Sequence, residues 1–491
     1  MKQQEFLLAT MLYAWQLKTQ NMLTVMLKSL ALGVFSAFFC GCATDVAKLE
    51  HFSKVYYMES AQKAHKIAQK LAKKDDLLWL IQAGVSGYVG ETKDALEFLE
   101  KSERVFLKFE EEGILSTGLS QGGAVLVNDN VMAYRGNIYE GVLLNYYKAL
   151  YNLSHTDLEG ARVEFNRAND RQRRAKEYYA KQIQQSLQEE QDRYDKSKAK
   201  GNIGIQESQI DNILTQRYTN LANFRAFDGF INPNISYVSG LFFLLSGDSK
   251  GIDYLKEAYG MTNLAIIASD MEYFSQASSV AESYTWILLE EGRQMHKSEI
   301  SFSLPFITSN GLYHFGVALP QLEAGRSFTQ HYRLDSGEQF EEILNTDAII
   351  ATEFEKQIKT IATRAIISAT IKLATQIGLS SALESTGSGL GLIGSLAGSI
   401  YSMSTTSADL RIASVFPHKI LLTKIKHTQE RTINVLADSG VLTSLHFSEC
   451  EANKPIDNNH SKTNKHTLCL GQNSIIYLRH TPAKTYYKQI W

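Results

Sequence analysis

The sequence predicts an α+β protein that is mainly α: tetratricopeptide-like helical repeats, followed by a β-rich domain with an inserted helical hairpin. Three observations carry this. Apolar residues recur at helical spacing from Glu50 to about Leu289. Only 6 prolines in 491 residues leave few forced breaks in long helices. From about Ser298 the apolar period shortens to the alternation of strands. A chain of 491 residues is also too long for one ordinary core. The expected organisation is an upstream extension and signal peptide over 1–41, helical repeats over 42–298, a β-rich segment over 299–348, a helical hairpin over 349–414 and a β-rich segment over 415–491.

The N-terminal segment comes first. Residues 26–42 begin with Met26 and Lys28, continue as a short apolar run from Leu30 to Phe39, and end in Cys40-Gly41-Cys42. A basic start, a short apolar stretch and a small residue before the cleavage point are the parts of an export signal. The run is too short to span a bilayer, which takes about 20 apolar residues. Phe39-Cys40-Gly41-Cys42 resembles a lipobox, with Phe39 where Leu is usual. The resemblance implies cleavage before Cys42 and its acylation. An ordinary secretory signal with incidental cysteines, or a buried helix, would also fit the segment. Residues 1–21 lie upstream of this pattern, with Met22 or Met26 as alternative starts. Ala43 rather than Asp follows the cysteine, which favours the periplasmic face of the outer membrane over the inner membrane.

The helical part divides into pairs. Ser53 to Lys74 has apolar positions at helical spacing. Trp79, Ala83, Ala95, Leu99 and Ser102 then match the large and small positions at which paired repeat helices cross. Ala149, Leu158, Ala161, Phe165 and Ala168 form a second set. Leu241 to Leu245, the turn Ser246-Gly247-Asp248, and Ile252, Leu255 and Ala258 form a third. Generic helix pairing without true repeats gives the same pattern. Gly113–Gly136 reads as a Gly-rich connector. Asp170 to Lys200 reads as a long charged helix, whose run from Asp170 to Glu177 is expected to be a solvated face.

Beyond Ser298, Ile300–Ile307 and Gly311–Leu319 read as strands about a Ser309-Asn310-Gly311 turn. Thr346 to Gly378 reads as an amphipathic helix. Ser380–Ser404 is Gly/Ser-rich and apolar, and Ser404 to Ile412 reads as helical again. Strands are expected at Ile420–Ile425, Thr432–Ala437, Thr443–Phe447 and Ser474–Leu478.

Composition and motifs limit the chemistry. Hydrophobic residues at 44% and charged residues at 21% are the balance of a folded body. Loss of residues 1–41 removes Lys2, Lys18, Lys28 and Glu5, leaving 47 basic against 51 acidic residues. No basic excess points to nucleic acid. Gly118-Leu-Ser120-Gln-Gly122 fits the spacing of a nucleophile elbow, but no buried strand precedes it. Gly389-Leu-Gly391-Leu-Ile-Gly394 fits a dinucleotide fingerprint without the preceding strand it needs. Gly387 and Gly391, with Gly394 and Gly398, instead suit close helix packing, either at the apex of a hairpin or in a segment that inserts into lipid or a partner. His446, Cys450, His460, His466 and Cys469 match no standard zinc spacing. No metal or cofactor is therefore expected. Cys450 and Cys469, 19 positions apart, are a disulfide or two free thiols, and an oxidising compartment favours the disulfide.

Several strings read together carry a resemblance. They are Asn128-Asp-Asn130, Tyr134-Arg-Gly136 with Tyr139-Glu140, Glu164-Phe-Asn-Arg-Ala168, Asp170-Arg-Gln-Arg-Arg-Ala-Lys-Glu177, Ser239-Gly-Leu-Phe-Phe243 and Leu255-Lys-Glu-Ala-Tyr-Gly260. Leu304-Pro-Phe, Gly316-Val-Ala-Leu-Pro320, Ala351-Thr-Glu-Phe354 and Ala408-Asp-Leu-Arg411 continue the pattern. Over about residues 50–430 the chain resembles a family of uncharacterised tetratricopeptide-like lipoproteins of Gram-negative bacteria. The resemblance implies a helical-repeat lipoprotein and no catalytic residue. The expected function is a non-enzymatic, membrane-anchored scaffold or adaptor that binds a protein partner in the cell envelope. Tyr134, Arg135, Tyr139 and Glu140 are the expected partner-binding anchors, because aromatic and Arg residues often dominate interfaces. The rival expectations are an envelope hydrolase using Ser120 and a regulator of peptidoglycan synthesis.

Overall fold

The computed structural model describes residues 46–73, 76–112, 133–175, 207–218, 231–276, 282–308, 311–384, 407–450 and 465–491. The chain divides into two units, Met1–Glu50 and His51–Trp491, and the second holds the sheets and the helices that pack on them. The fold is mixed α+β, with about 50% of the described residues helical and 25% in strands. The leader, Cys42, the Ser120 motif, Ser309-Asn310 and the Gly389–Gly394 motif all lie outside the described residues.

Ser53 to Lys74 is two helices rather than one. Residues 46–58 form α1, and Ser60 in extended backbone starts α2 (Ala61–Leu71) by accepting from the Lys63 amide at 3.2 Å. A serine in that position halts one helix and caps the next. α3 (Leu77–Val89) is buried along its whole length, which explains its unbroken apolar run. It packs between α2 and α4 (Ala95–Glu112). α5 (Ile138–Ser154) and α6 (158–175) follow, then α7 (Glu207–Arg217). α8 (Pro233–Leu245) opens on Pro233 after the Asn232 cap, a position where the missing amide costs nothing. α9 (Gly251–Thr262) returns along α8 and leads to α10 (Ala265–Ser275).

The residues expected at helix crossings are buried: Ala83, Ala95, Leu99, Ala149, Ala161, Phe165, Ala168, Leu241, Leu255 and Ala258. Leu158 is not, with 43% of it exposed, and Ile252 is only half-buried. One close crossing joins α8 to α9. A Cβ on Gly251 would lie 2.4 Å from the Gly240 carbonyl oxygen, and one on Gly240 would lie 2.8 Å from that of Gly251. Backbone meets backbone there, so neither side can yield. Gly251→Ala is expected to destabilise the protein by about 1–3 kcal/mol despite the better helix propensity of alanine. An unchanged urea midpoint would refute this contact.

The strands form three sheets. β1 (Tyr284–Glu291) is central in a five-stranded sheet of order β11-β10-β1-β6-β5. Its other members are β5 (Glu341–Asn345), β6 (Lys419–Lys426), β10 (Ser474–His480) and β11 (Thr485–Gln489). β1 runs parallel to β10 and antiparallel to β6. β4 (Tyr332–Leu334), β7 (Arg431–Ala437), β8 (Gly440–Ser448) and β9 (Lys465–Cys469) form a second sheet of order β4-β7-β8-β9. Among the described residues β2 (His296–Thr308) and β3 (Gly311–Glu323) pair with each other alone, over 13 residues each. α11 (Thr346–Glu384) is one helix of 39 residues, and β3 packs on it.

Ile287, Leu289, Leu421, Ile425, Ile476 and Leu478 on one face of the five-stranded sheet meet Ile433, Val435, Leu445, Phe447 and Leu468 of the second sheet. The opposite face carries Trp286, Glu290, Lys424, Tyr477 and Arg479 and meets the helices. The arrangement is helices, sheet, sheet.

Three expectations need correction. The helical region ends before β1, which lies inside the 42–298 segment. Tyr284–Glu291 is covered on both faces, so its apolar run has no alternation and cannot be told from a buried helix by period. Residues 407–418 contain no helix, so Ser404 to Ile412 does not form a second helical arm over the described part of 349–414. Their backbone serves instead as a partner for buried side chains: the Tyr57 hydroxyl donates to the Ser414 and Phe416 carbonyls. The run at Asp170 is not a plain solvated face either, since Arg171 and Gln172 are buried.

Candidate functional site

The expected partner anchors gather at the start of α5. Gly136 holds φ +75° against the Phe106 ring, where a Cβ would come within 2.8 Å. Asn137 then precedes the first turn in extended backbone. Glu140, on that turn, folds back to accept from the Asn137 amide at 2.8 Å. The Tyr134 hydroxyl lies 2.8 and 2.7 Å from its two oxygens and donates to the carboxylate. The Ala413 amide adds a third donor at 2.9 Å. A second carboxylate, Glu353 of α11, accepts from the Ile138 and Tyr139 amides at 2.8 and 3.1 Å. Both acids therefore answer the orphan amides and positive end of one helix.

This geometry overturns the interface role of three residues. Tyr134 and Tyr139 are buried and Glu140 is fully enclosed, so none can meet a partner without opening the fold. Arg135 is half-buried, with its guanidinium over the Phe109 ring. Arg411 lies over Tyr134 and pairs with Asp409 at 2.8 Å. Burial pushes the Glu140 carboxyl above the ordinary carboxylate range, against the pull of its donors. A small cleft beside this cluster, of about 10 Å³ and so with room for little more than a water molecule, is lined by Ile138, Tyr139, Val142, Asn232, Ile349 and Glu353.

Two further polar clusters have no local signal in the sequence. Arg171 of α6 reaches Glu103 at 3.1 Å and Glu110 at 2.9 Å, both on α4, and the Gly141 carbonyl at 3.0 Å. Lys148 pairs with Glu164 at 2.7 Å, and Asn145 donates to both Glu103 and Glu164. This network joins α4, α5 and α6 through buried charge. At the helix–sheet boundary, Glu290 of β1 accepts from Arg479 at 3.1 Å, Tyr147 at 2.7 Å and Tyr477 at 2.8 Å. Arg479 also donates to the Val415 carbonyl and lies near the Tyr56 and Tyr57 rings. Glu290 and Arg479 are both fully enclosed.

In the C-terminal region Cys450 and Cys469 are joined by a disulfide, with Cα atoms 5.3 Å apart. Cys469 ends β9, opposite Ser448 of β8. His466 stacks on Tyr487 with ring centroids 3.4 Å apart, and burial pushes its imidazole down to about 4. Thr432 meets His446. Among the described residues no group of three or more His, Cys, Asp or Glu is placed to hold a metal. No helix among them is long and apolar enough to cross a membrane. No family model, no characterised protein and no solved structure matches the chain.

Proposed function

We propose that the chain is a lipid-anchored scaffold or adaptor of the cell envelope, tethered through Cys42 and binding a protein partner. The observation that carries this reading is the Cys450–Cys469 disulfide. Such a bond persists in oxidising compartments and is rare in the cytosol. It therefore agrees with the export signal and lipobox-like run ending at Cys42. The helix pairs support the binding role, because stacked pairs leave extended surfaces suited to protein segments. With Tyr134, Tyr139 and Glu140 turned inward, the outer surface of α6 is the better contact region. Leu158 and Val163 are exposed large apolar residues there, and Arg162 lies between them in sequence.

The tether has a direct test. Cys42→Ser is expected to leave the precursor uncleaved and to abolish metabolic labelling with a palmitate analogue. Labelling that persists in the variant would remove the tether.

A further inference from the structure

The first two helices carry a charge that the rest of the chain does not share. Between His51 and Lys73 the sequence holds five lysines, Lys54, Lys63, Lys66, Lys70 and Lys73, against one acid, Glu59. From Cys42 onward the remaining positions hold 42 basic against 50 acidic residues. All five lysines are exposed.

At 3.6 residues per turn, Lys63, Lys66 and Lys70 fall on one stripe of α2, opposite the buried Ala61, Ala64, His65 and Ala68. On α1 the exposed residues His51, Lys54 and Met58 recur at the same helical spacing, and 56% of Met58 is exposed. Glu59, at the corner between the helices, pairs with Lys63 at 2.9 Å. Asp94, which borders α2, is held by His65 and Gln69, both at 2.9 Å. Among the described residues Lys54, Lys66, Lys70 and Lys73 form no ion pair. The stripe does not serve the helix that bears it. Lys63 stands in the first turn of α2, where the helix end is positive and a cation is unfavourable, and that turn holds no acid. Lysines three and four positions apart also repel one another.

We propose that the exposed face of α1 and α2 docks on anionic phospholipid headgroups. Its placement rests on the Cys42 tether: nine positions separate Cys42 from His51 and span at most about 30 Å, so an acylated Cys42 keeps this face near the bilayer. Each lysine brought within about 10 Å of an anionic surface adds to the attraction. Lysine stems suit such a boundary, lying against apolar groups while the ammonium stays in water. Met58 supplies an apolar side chain among them. Interfaces with proteins are depleted of lysine and favour Arg and aromatic residues. From His51 to Lys73 no Arg is present and no Phe, Tyr or Trp is exposed.

The test uses the full chain with Cys42→Ser throughout, so that the leader and the missing acyl group are common to every variant. Vesicles are of phosphatidylcholine, alone or with phosphatidylglycerol, and the quantity read by co-sedimentation is the gain in binding on adding phosphatidylglycerol. A gain that weakens as salt rises is expected. Lys66→Gln with Lys70→Gln should lower the affinity for phosphatidylglycerol vesicles by about tenfold or more. Lys256→Gln with Lys356→Gln removes the same charge from exposed positions on α9 and α11 and should leave it unchanged. No gain with phosphatidylglycerol, or an equal loss in both pairs of variants, overturns the proposal. Unchanged vesicle affinity in the Lys66 and Lys70 variant, with a protein lost from envelope pull-downs, also overturns it and assigns the face to an acidic protein. The tether is read separately by palmitate labelling of the chain with Cys42 intact. Labelling without the gain keeps the tether and removes the docking face; the gain without labelling does the reverse.

Discussion

Replacing Arg479 with methionine is expected to cost about 3–5 kcal/mol of stability. The change leaves Glu290 fully enclosed without its cation, in the layer between helices and sheet. Tyr147 and Tyr477 would still donate to the carboxylate. Two neutral donors do not offset the loss of a buried positive charge. The double variant Arg479→Met with Glu290→Leu should recover much of the loss, because removing both charges also removes both desolvation costs. Recovery will be incomplete, since the two tyrosine hydroxyls lose their acceptor. Urea unfolding followed by the fluorescence of buried Trp286 reads both effects. A single variant with an unchanged midpoint, or a double variant weaker than the single, would show that this pair does not hold the layers together.

The same pair shows where sequence reading ends. Glu290 and Arg479 are 189 positions apart. They meet because β1 and β10 run parallel at the sheet centre with Glu290 opposite Arg479. Nothing local announces that register. β7 and β8 are legible because their alternation survives where one face is less buried. β1 is not, since its covered faces erase the alternation. β9 and β11 are only five residues each, too short to show a period. The α5 cluster is legible in part. Asn137 three positions before Glu140 has the spacing of a helix start, and the string Tyr134 to Glu140 stands out. Its orientation is not legible, because Ala413 and Glu353 come from distant segments. Arg171 misleads for the same reason: a charge run looks solvated until the helix opposite it supplies Glu103 and Glu110.

Glu140 should therefore behave as a structural group rather than a contact residue. Glu140→Ala would strand the Tyr134 hydroxyl and the Asn137 and Ala413 amides in a buried place. At about 1–3 kcal/mol for each unsatisfied group, the expected loss is several kcal/mol. Tyr134→Ala should destabilise as well, by opening a cavity beside Arg411 and removing a donor from the carboxylate. The effect of pH has a definite sign. Burial raises the folded pKa of Glu140 above its ordinary 4.5. The folded state then holds a proton that the unfolded chain releases. The stability tied to that proton is complete below about the ordinary value and is lost as pH rises through the raised one. Glu140→Gln keeps the shape without titrating, so the stability difference between parent and Gln variant should change across that window. A difference that stays flat with pH would show that Glu140 is ionised throughout. A Tyr134→Ala variant with full stability and a lost protein partner would instead restore the interface role that its burial denies.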